Sequence, residues 1–218
     1  TYRESVTREV EYTGEFSRTI GGKEQTAGVT LRIAPCDAPL STQADIPDAS
    51  ALGNRYVNAV RKAGSVPEEI FDAIERAVTG SFASGIQYGY PCTNISVTLT
   101  AVDYSELTST AFAFEACTVA AFDEGCRKAS PELLEPVMNV DILCPKEFVG
   151  DAISQITQRG GIISSLESKP STDVIYAQAP MAKMFGFSTA LRSVTQGRAS
   201  FMLEFSHFEV KPGGLGSV

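Results

Sequence analysis

Residues 184–208 join an apolar helical pattern, a glycine and an alternating strand pattern, and this succession constrains the fold more than any other part of the sequence. Gly197 follows the helical pattern, and glycine most readily adopts the positive φ that ends a helix. Apolar and polar residues then alternate, as in a half-buried strand. We therefore predict a helix over 184–195 and a strand over 199–208. Four apolar side chains recur at roughly helical spacing: Phe185, Phe187, Leu191 and Val194.

The residues before this helix and strand predict four further elements, so the second segment has six in all. Alternating stretches predict strands, while a proline followed by lysine and glutamate predicts a helix start, and two glycines end that helix after Arg159. The order βαββαβ is that of a ferredoxin-like domain, with two helices on one face of the sheet. The elements predicted before residue 184 are a strand (Val137–Cys144), a helix (Pro145–Arg159) and two strands (Ile162–Lys169 and Asp173–Ala179).

Residues 1–133 predict a second, less regular α+β domain. The longest predicted helix carries an apparent apolar stripe that should face the core: Phe112, Ala116, Val119, Ala120 and Cys126. The expected elements are strands over 6–18 and 28–35 around a polar turn over 21–28, a loop over 36–51, a strand over 54–61, a helix over 67–78, a strand over 93–100, a helix over 109–128 and a domain junction over 131–136.

The distribution of charge along the chain is more informative about binding partners than the net charge of −8. Residues 1–133 hold 18 acidic and 11 basic residues, whereas residues 134–218 hold 8 and 7, so the acidity lies in the first segment. A protein that binds nucleic acid through its phosphates usually presents a basic field, so charge alone argues against RNA binding. An acidic surface either keeps a domain soluble or imitates nucleic acid.

Residues for catalysis, nucleotide binding or metal binding do not form a recognised pattern. His207 is the single histidine, and we interpret it as a strand residue. The stretch Gly21–Glu24 lacks the spacing and the hydroxyl of a phosphate-binding loop. The five cysteines contain no C-x-x-C pair, which favours reduced thiols in the cytoplasm. There is no apolar run long enough for a membrane span. The sequence starts at Thr1 with neither methionine nor a signal peptide, so we expect a piece of a longer protein.

The sequence MFGFSTALRSVTQGRASF at 184–201, with LEPV at 134–137, closely resembles the C-terminal domain of translation elongation factor G. The first segment resembles domain IV of the same family at residues 2–5, 20–25, 66–67, 89–91 and in the helix from Ala113 to Ala129. The resemblance implies two domains in an α+β chain. They are a ribosomal protein S5 domain 2-like domain over 1–133 and a ferredoxin-like domain over 134–210. The glycine-rich residues 211–218 are expected to form a flexible tail.

The resemblance also implies a function. In this family the first domain takes the place of a tRNA anticodon arm and reaches the decoding region of the small ribosomal subunit. The expected function is therefore ribosome binding that promotes tRNA–mRNA translocation, in the cytoplasm, by a monomer that contacts neither DNA nor membrane. The expected partners are ribosomal RNA, tRNA–mRNA and the GTPase-associated region of the large subunit. This chain is expected to hold no cofactor and to be no enzyme, with GTP and Mg²⁺ bound in the missing N-terminal part of a GTPase.

The residues that the resemblance assigns to contacts form two groups. Glycines allow a backbone to approach another surface closely, and lysine and glutamine reach phosphates or base edges. The alternative interpretations are a plain hairpin for the first group and helix capping for the second. The first group is a tip made of two loops, over 21–28 and 101–108, with Gly21, Gly22, Lys23 and Gln25 meeting Asp103, Tyr104 and Ser105. The second group is Arg192 and Arg198.

Departures from the family pattern leave several hypotheses open. Family members usually have histidine where Ser105 stands, and glycine and tyrosine where Glu24 and Thr26 stand, so a paralogue devoted to ribosome recycling is an alternative. A ribosomal protection factor is another, although the motifs at 20–25 and 184–201 look closer to elongation factor G. From other classes, a stand-alone RNA-binding or regulatory module lacks the paired aromatics of an RNA recognition motif, and a small enzyme lacks a catalytic constellation.

Overall fold

The computed structural model describes residues 1–36, 53–60 and 64–214. Apart from Cys36, the loop predicted over 36–51 lies outside the described residues, as do Arg61 and the last four residues of the tail. The chain divides into two compact units, which we call the first unit (Tyr2–Leu133) and the second unit (Leu134–Pro212).

The first unit is a four-stranded sheet covered by two helices. Its strands follow the order β2-β3-β5-β4, in which only the pair β4 and β5 is parallel. Buried side chains from the sheet and from both helices form one core, among them Leu31, Ile74 and Phe114. The elements are β1 (Arg3–Val6), β2 (Val10–Ile20), β3 (Lys23–Pro35), β4 (Arg55–Asn58), α1 (Glu68–Ser84), β5 (Ile95–Asp103) and α2 (Ala111–Lys128).

The prediction of which face of α2 is buried is wrong. Of the expected stripe only Cys126 is buried, whereas Phe112 is 59% and Val119 is 47% exposed. Apolar residues lie on both faces of this helix, so helical spacing alone does not select the face that meets the sheet. The side chains that are buried instead are Ala113, Phe114, Cys117, Ala121 and Phe122.

A buried carboxylate joins the start of the first unit to the loop after α1. Glu4 is 1% exposed, and its two carboxylate oxygens accept hydrogen bonds from the backbone N–H groups of Gln87 (2.7 Å), Tyr88 (3.1 Å) and Tyr90 (3.0 Å). Three donors replace the water that an ionised carboxylate loses on burial. The loop is therefore held in place by the strand that precedes it by about eighty residues in sequence.

The second unit has the predicted βαββαβ order, which confirms the α+β fold class. Its antiparallel strands follow the order β9-β6-β8-β7, and both helices lie on one face, where Ile156, Phe187 and Leu191 pack on Val140 and Ile142. Strand β6 runs through the predicted junction at 131–136. The elements are β6 (Pro131–Pro145), α3 (Val149–Gln158), β7 (Ile162–Ser168), β8 (Thr172–Pro180), α4 (Phe187–Val194) and β9 (Ser200–Val210).

The helix predicted over 184–195 is shorter than expected. It begins at Phe187, after Gly186 in the left-handed region at φ 74°. Phe185 therefore lies before the helix and is 83% exposed, while Phe187 and Leu191 are buried as expected. Gly197 has φ 73°, so the predicted positive φ after the helix is confirmed.

Candidate functional site

A tight turn ends the hairpin of β2 and β3. Only Gly21 and Gly22 lie outside the two strands, with φ of 59° and 78°, and Ile20 pairs directly with Lys23. Two consecutive residues with positive φ are typical of a type I′ hairpin turn, which favours glycine. The polar turn predicted over 21–28 is therefore wrong beyond Gly22. Its later residues belong to a strand that is solvated on both faces near the turn, so no apolar alternation marks it.

The hairpin extends past the end of the sheet. Strand β5 accompanies β3 only as far as the pair Gly28 and Asp103, while β2 accompanies it to Lys23. At about 3.4 Å per residue, Lys23 lies roughly 17 Å along the strand from that pair. We call this projecting part, residues 17–27, the ribbon. Its turn is exposed, and no other atom lies within 4 Å of where a Cβ on Gly21 or Gly22 would stand.

The second predicted loop meets the ribbon at its side rather than at its turn. Thr26 donates its backbone N–H to the carbonyl of Thr108 (3.0 Å), and the hydroxyl of Thr110 donates to Oε1 of Gln25 (2.8 Å). Thr110 also caps the start of α2. The tip was predicted as Gly21, Gly22, Lys23 and Gln25 meeting Asp103, Tyr104 and Ser105. The structure differs, because Gln25 contacts Thr110 instead and the turn lies beyond the last pair of β3 with β5, at Gly28 and Asp103.

Tyr104 and Ser105 have structural contacts within the second loop. The half-buried ring of Tyr104 packs on Phe114 with a centroid distance of 6.4 Å. The carbonyl of Ser105 accepts from the N–H groups of Thr108 and Ser109, and its own N–H donates to the hydroxyl of Ser109 (3.0 Å). Asp103 is exposed beside Gly28. The loop is thus internally braced, with Ser105 closing its turn.

Two residues in the ribbon and the second loop were not predicted from the sequence. Arg18 is an exposed cation of the ribbon that pairs with Gln25 across the strands and lies 5.5 Å from the centre of the Phe16 ring. Leu107 is 93% exposed in the second loop. A single leucine between polar loop residues is the only sequence signal for it. In the described part of the chain, Lys23 forms no ion pair, so its ammonium group is available to an outside anion.

The two arginines of the second unit differ in their contacts. Arg198 forms an ion pair with Glu147, and its guanidinium lies 5.5 Å from the centre of the Phe148 ring. Arg192 is exposed, and within the residues described its side chain forms neither a hydrogen bond nor an ion pair. Between them, Gln196 and Gly197 both have positive φ, and Gly197 donates its N–H to the carbonyl of Arg192 (2.8 Å). Arg198 therefore braces its own unit, while Arg192 is free.

His207 lies in β9, as predicted, between two polar neighbours. Its Nδ1 is 2.9 Å from the hydroxyl oxygen of Ser206, and its Nε2 is 2.7 Å from Oε1 of Glu209. All three residues belong to one strand, and Gln178 also donates to the Ser206 hydroxyl (3.3 Å). The hydroxyl of Ser206 is thus engaged within the sheet, which favours a structural role for this group.

Burial makes most of the thiols unreactive. It raises the pKa of Cys92 to about 12 and that of Cys117 to about 11, and it also raises the pKa values of Cys126 and Cys144. Over residues 1–36, 53–60 and 64–214, His, Cys, Asp and Glu do not form a group of three or more suited to bind a metal ion. No helix in the same residues has the length and apolar character needed to cross a membrane.

The sequence matches two family models in succession. Residues 1–130 match elongation factor G, domain IV, and residues 132–217 match the elongation factor G C-terminus. The chain is 54% identical over 219 residues to elongation factor G 1 of Treponema denticola and 45% identical over 216 residues to elongation factor G 2 of Treponema pallidum. These alignments cover 97% and 96% of this chain, and the chain spans 30% of the length of each of these curated relatives.

The fold has a counterpart among solved structures. A crystal structure of a protein from Thermus thermophilus superimposes with a TM-score of 0.80 at 27% sequence identity. The match covers 97% of this chain and 30% of that chain. Both units therefore have their equivalents in one solved protein.

Proposed function

Since this chain belongs to the elongation factor G family, we propose that it is the ribosome-binding C-terminal part of a translational GTPase that promotes tRNA–mRNA translocation. Its domains are residues 1–133 and 134–210. The chain itself hydrolyses no GTP, because nucleotide and Mg²⁺ are bound by the N-terminal part of the full-length factor. That factor is a cytoplasmic monomer.

The projecting ribbon is the observation that carries this proposal. Residues 17–24 of this hairpin are all exposed, so the part that runs roughly 17 Å beyond the sheet adds little apolar surface to the core. A slender arm of this kind can enter a cleft that the body of the domain cannot. The decoding region of the ribosome is such a cleft, and the family resemblance assigns this end of the domain to it.

The chemistry of the ribbon suits a contact with RNA. Gly21 and Gly22 leave the backbone open to close approach, and the free ammonium group of Lys23 can meet one phosphate. Arg18 supplies a second exposed cation on the neighbouring strand. The excess of acidic residues in 1–133 opposes tight binding to free RNA, so recognition depends on placement by the rest of the factor.

The second unit contributes a separate contact through Arg192. Arg192 is exposed and has no ion-pair partner in the described part of the chain, so it can offer charge-assisted hydrogen bonds to phosphate without giving up any contact seen there. Arg198 would have to give up Glu147 and Phe148 to do the same. We therefore propose Arg192 for the contact with the GTPase-associated region, and Arg198 as the residue that holds the adjoining turn.

Complementation tests this proposal. The full-length factor is expressed in cells depleted of their main elongation factor, and growth together with the rate of translocation on purified ribosomes is measured. We expect both to be restored. A factor that splits ribosomes into subunits but moves no tRNA would instead establish the recycling alternative.

Calorimetry supplies the matching control on the isolated chain. The 218-residue chain is titrated with GTP and Mg²⁺, and we expect no heat of binding. Micromolar affinity would contradict the assignment of the nucleotide site to another part of the factor.

A further inference from the structure

The loop before α4 presents an aromatic ring that the unit itself does not use. Phe185 is 83% exposed, although its neighbours Met184 and Phe187 are both buried. The ring therefore stands out from a backbone that is anchored on either side. A single exposed apolar side chain is ordinary by itself, so the argument rests on how the loop is held and on its charges.

Arg159 holds this loop from the end of α3. Its Nη1 donates to the carbonyl oxygens of Lys183 (2.8 Å) and Phe185 (2.7 Å), and its guanidinium carbon lies 5.6 Å from the centre of the Phe187 ring. The N–H of Phe187 also donates to the carbonyl of Met184 (3.1 Å). The backbone of Phe185 is thus fixed on both sides, so binding would have to order only its side chain and not the loop.

The sequence stretches that contain the loop and the end of α3 carry charges of one sign. No aspartate or glutamate occurs from Val174 to Leu203 or from Ala152 to Leu166, in a chain with 26 acidic residues. These two stretches contain the cations Arg159, Lys183, Arg192 and Arg198. Lys183 is exposed and, in the described part of the chain, has no ion-pair partner for its ammonium group.

We propose that Phe185 and Lys183 form a binding site for one unstacked RNA nucleotide, whose base stacks on the Phe185 ring while Lys183 contacts its phosphate. An exposed aromatic ring two residues from an exposed cation, and far from any carboxylate in sequence, fits this ligand. Every base offers a π-face and every nucleotide a negative charge. An apolar protein surface would use the ring but not the cation. The inference rests on the proposed function, since ribosomal RNA is the source of the nucleotide.

Two substitutions separate stacking from apolar contact. Phe185→Leu keeps an apolar side chain but removes the aromatic face, whereas Phe185→Trp keeps a face. The affinity of each full-length variant for purified ribosomes is measured with a non-hydrolysable GTP analogue. Base stacking of the usual strength predicts that Phe185→Leu weakens binding about tenfold, while Phe185→Trp stays within about twofold of the wild type.

Salt dependence tests the role of the lysine. Loss of one phosphate contact lowers the slope of log affinity against log salt by about one, so Lys183→Gln should show this change and Phe185→Leu should not. Met202→Ala is the matched control, since Met202 is 58% exposed in β9 of the same unit. It should bind like the wild type.

Failure of this inference can be distinguished from failure of the proposed function. Wild-type factor that fails to bind ribosomes overturns the proposed function. Wild-type factor that binds, with Phe185→Leu binding equally well, overturns only this inference. The inference is also overturned if Phe185→Trp weakens ribosome binding as strongly as Phe185→Leu does. An unchanged salt slope for Lys183→Gln overturns it as well. Melting curves of the variants should match the wild type, and a lower melting temperature for Phe185→Leu would make the ring structural.

Discussion

Two turns of this chain share a backbone conformation but differ in what surrounds them. Gly21 and Gly22 connect two strands, and Gln196 and Gly197 connect a helix to a strand, and all four residues have φ between 54° and 78°. The first turn, at the end of the ribbon, is held only by the pairing of β2 with β3. The second is braced by side chains from several elements.

The bracing of the second turn uses groups that the first turn leaves free. The hydroxyl of Thr195 donates to the carbonyl of Leu191 (2.6 Å) and accepts from the N–H of Ala199 (3.3 Å), and the ion pair of Arg198 with Glu147 lies beside them. At the first turn, Lys23 has no ion-pair partner among the residues that the structure describes. The same local geometry thus presents a cation in one place and holds two elements together in the other.

The largest expected effect is functional and lies at the free turn. Lys23→Glu in the full-length factor removes one phosphate contact, and a charge-assisted hydrogen bond contributes roughly 1.5–3 kcal/mol. We expect translocation on purified ribosomes to slow about tenfold or more. Urea denaturation of the 218-residue chain should be unchanged, because Lys23 is exposed and forms no ion pair within residues 1–36, 53–60 and 64–214.

A neutral control separates charge from shape at this position. Lys23→Gln should slow translocation less than Lys23→Glu, because it removes the contact without adding repulsion. If Lys23→Glu translocates at the full rate, the ribbon makes no contact through this residue.

The next effect is on stability at the braced turn. Thr195 is fully buried, and Thr195→Val leaves the N–H of Ala199 without its acceptor, which costs about 1–3 kcal/mol. The second unit should unfold at lower urea concentration. Labelling of Cys144, a buried thiol whose pKa is raised, should accelerate at neutral pH as unfolding exposes it.

The control for this variant lies on the ribbon. Thr19→Val changes an exposed threonine, so it should shift the stability by less than about 0.5 kcal/mol. Equal losses for the two valine variants would show that the buried hydroxyl does not brace the turn.

A pair of alanine substitutions compares the turns directly. Gly197→Ala and Gly22→Ala both place a Cβ at positive φ, where each costs about 1–2 kcal/mol, and neither meets another atom within 4 Å. The braced turn cannot relax, so Gly197→Ala should lower the unfolding free energy by that amount. The ribbon can open its last pairs, so Gly22→Ala should cost less. Urea denaturation measures both values, and equal costs would mean that the ribbon is as constrained as the second turn.

The smallest effect belongs to Arg198. Its ion pair with Glu147 is more than half exposed on both sides, and such pairs contribute about 0–1 kcal/mol. Arg198→Met should therefore change stability little, and ribosome affinity should fall far less than for Arg192→Met. A larger loss of affinity for Arg198→Met would assign the RNA contact to the residue that we treat as structural.

Local patterns predicted the second unit better than the first. The alternation in β6, β8 and β9 and the buried Phe187 and Leu191 follow from periodicity, because one face of each element meets a single core. In α2 the same reasoning selected the wrong face, since Phe112 and Val119 repeat at helical spacing on the solvent side. Periodicity reports which residues share a face and not which face is covered.

The candidate sites were predicted in part. The positions of Gly21, Gly22 and Lys23 at an exposed turn follow from the glycine pair. The separation of this turn from Tyr104 and Ser105 does not, because it depends on where β5 stops pairing with β3. The different contacts of Arg192 and Arg198 depend likewise on Glu147, which is distant in sequence.

By itself, the sequence determined the order of elements in the second unit, the family and the glycines at each turn, because these follow from residue patterns along the chain. The separate first strand β1 (Arg3–Val6) was not predicted. Only the tertiary structure decided the length of the ribbon, the buried anchor at Glu4, and which cations are free to meet an anion. Each of these depends on contacts between residues that are dozens of positions apart, as in the bonds from Glu4 to the loop at Gln87. A side chain can bind an outside partner only when it is not already engaged in such a contact. Which side chains are engaged is decided when the chain folds.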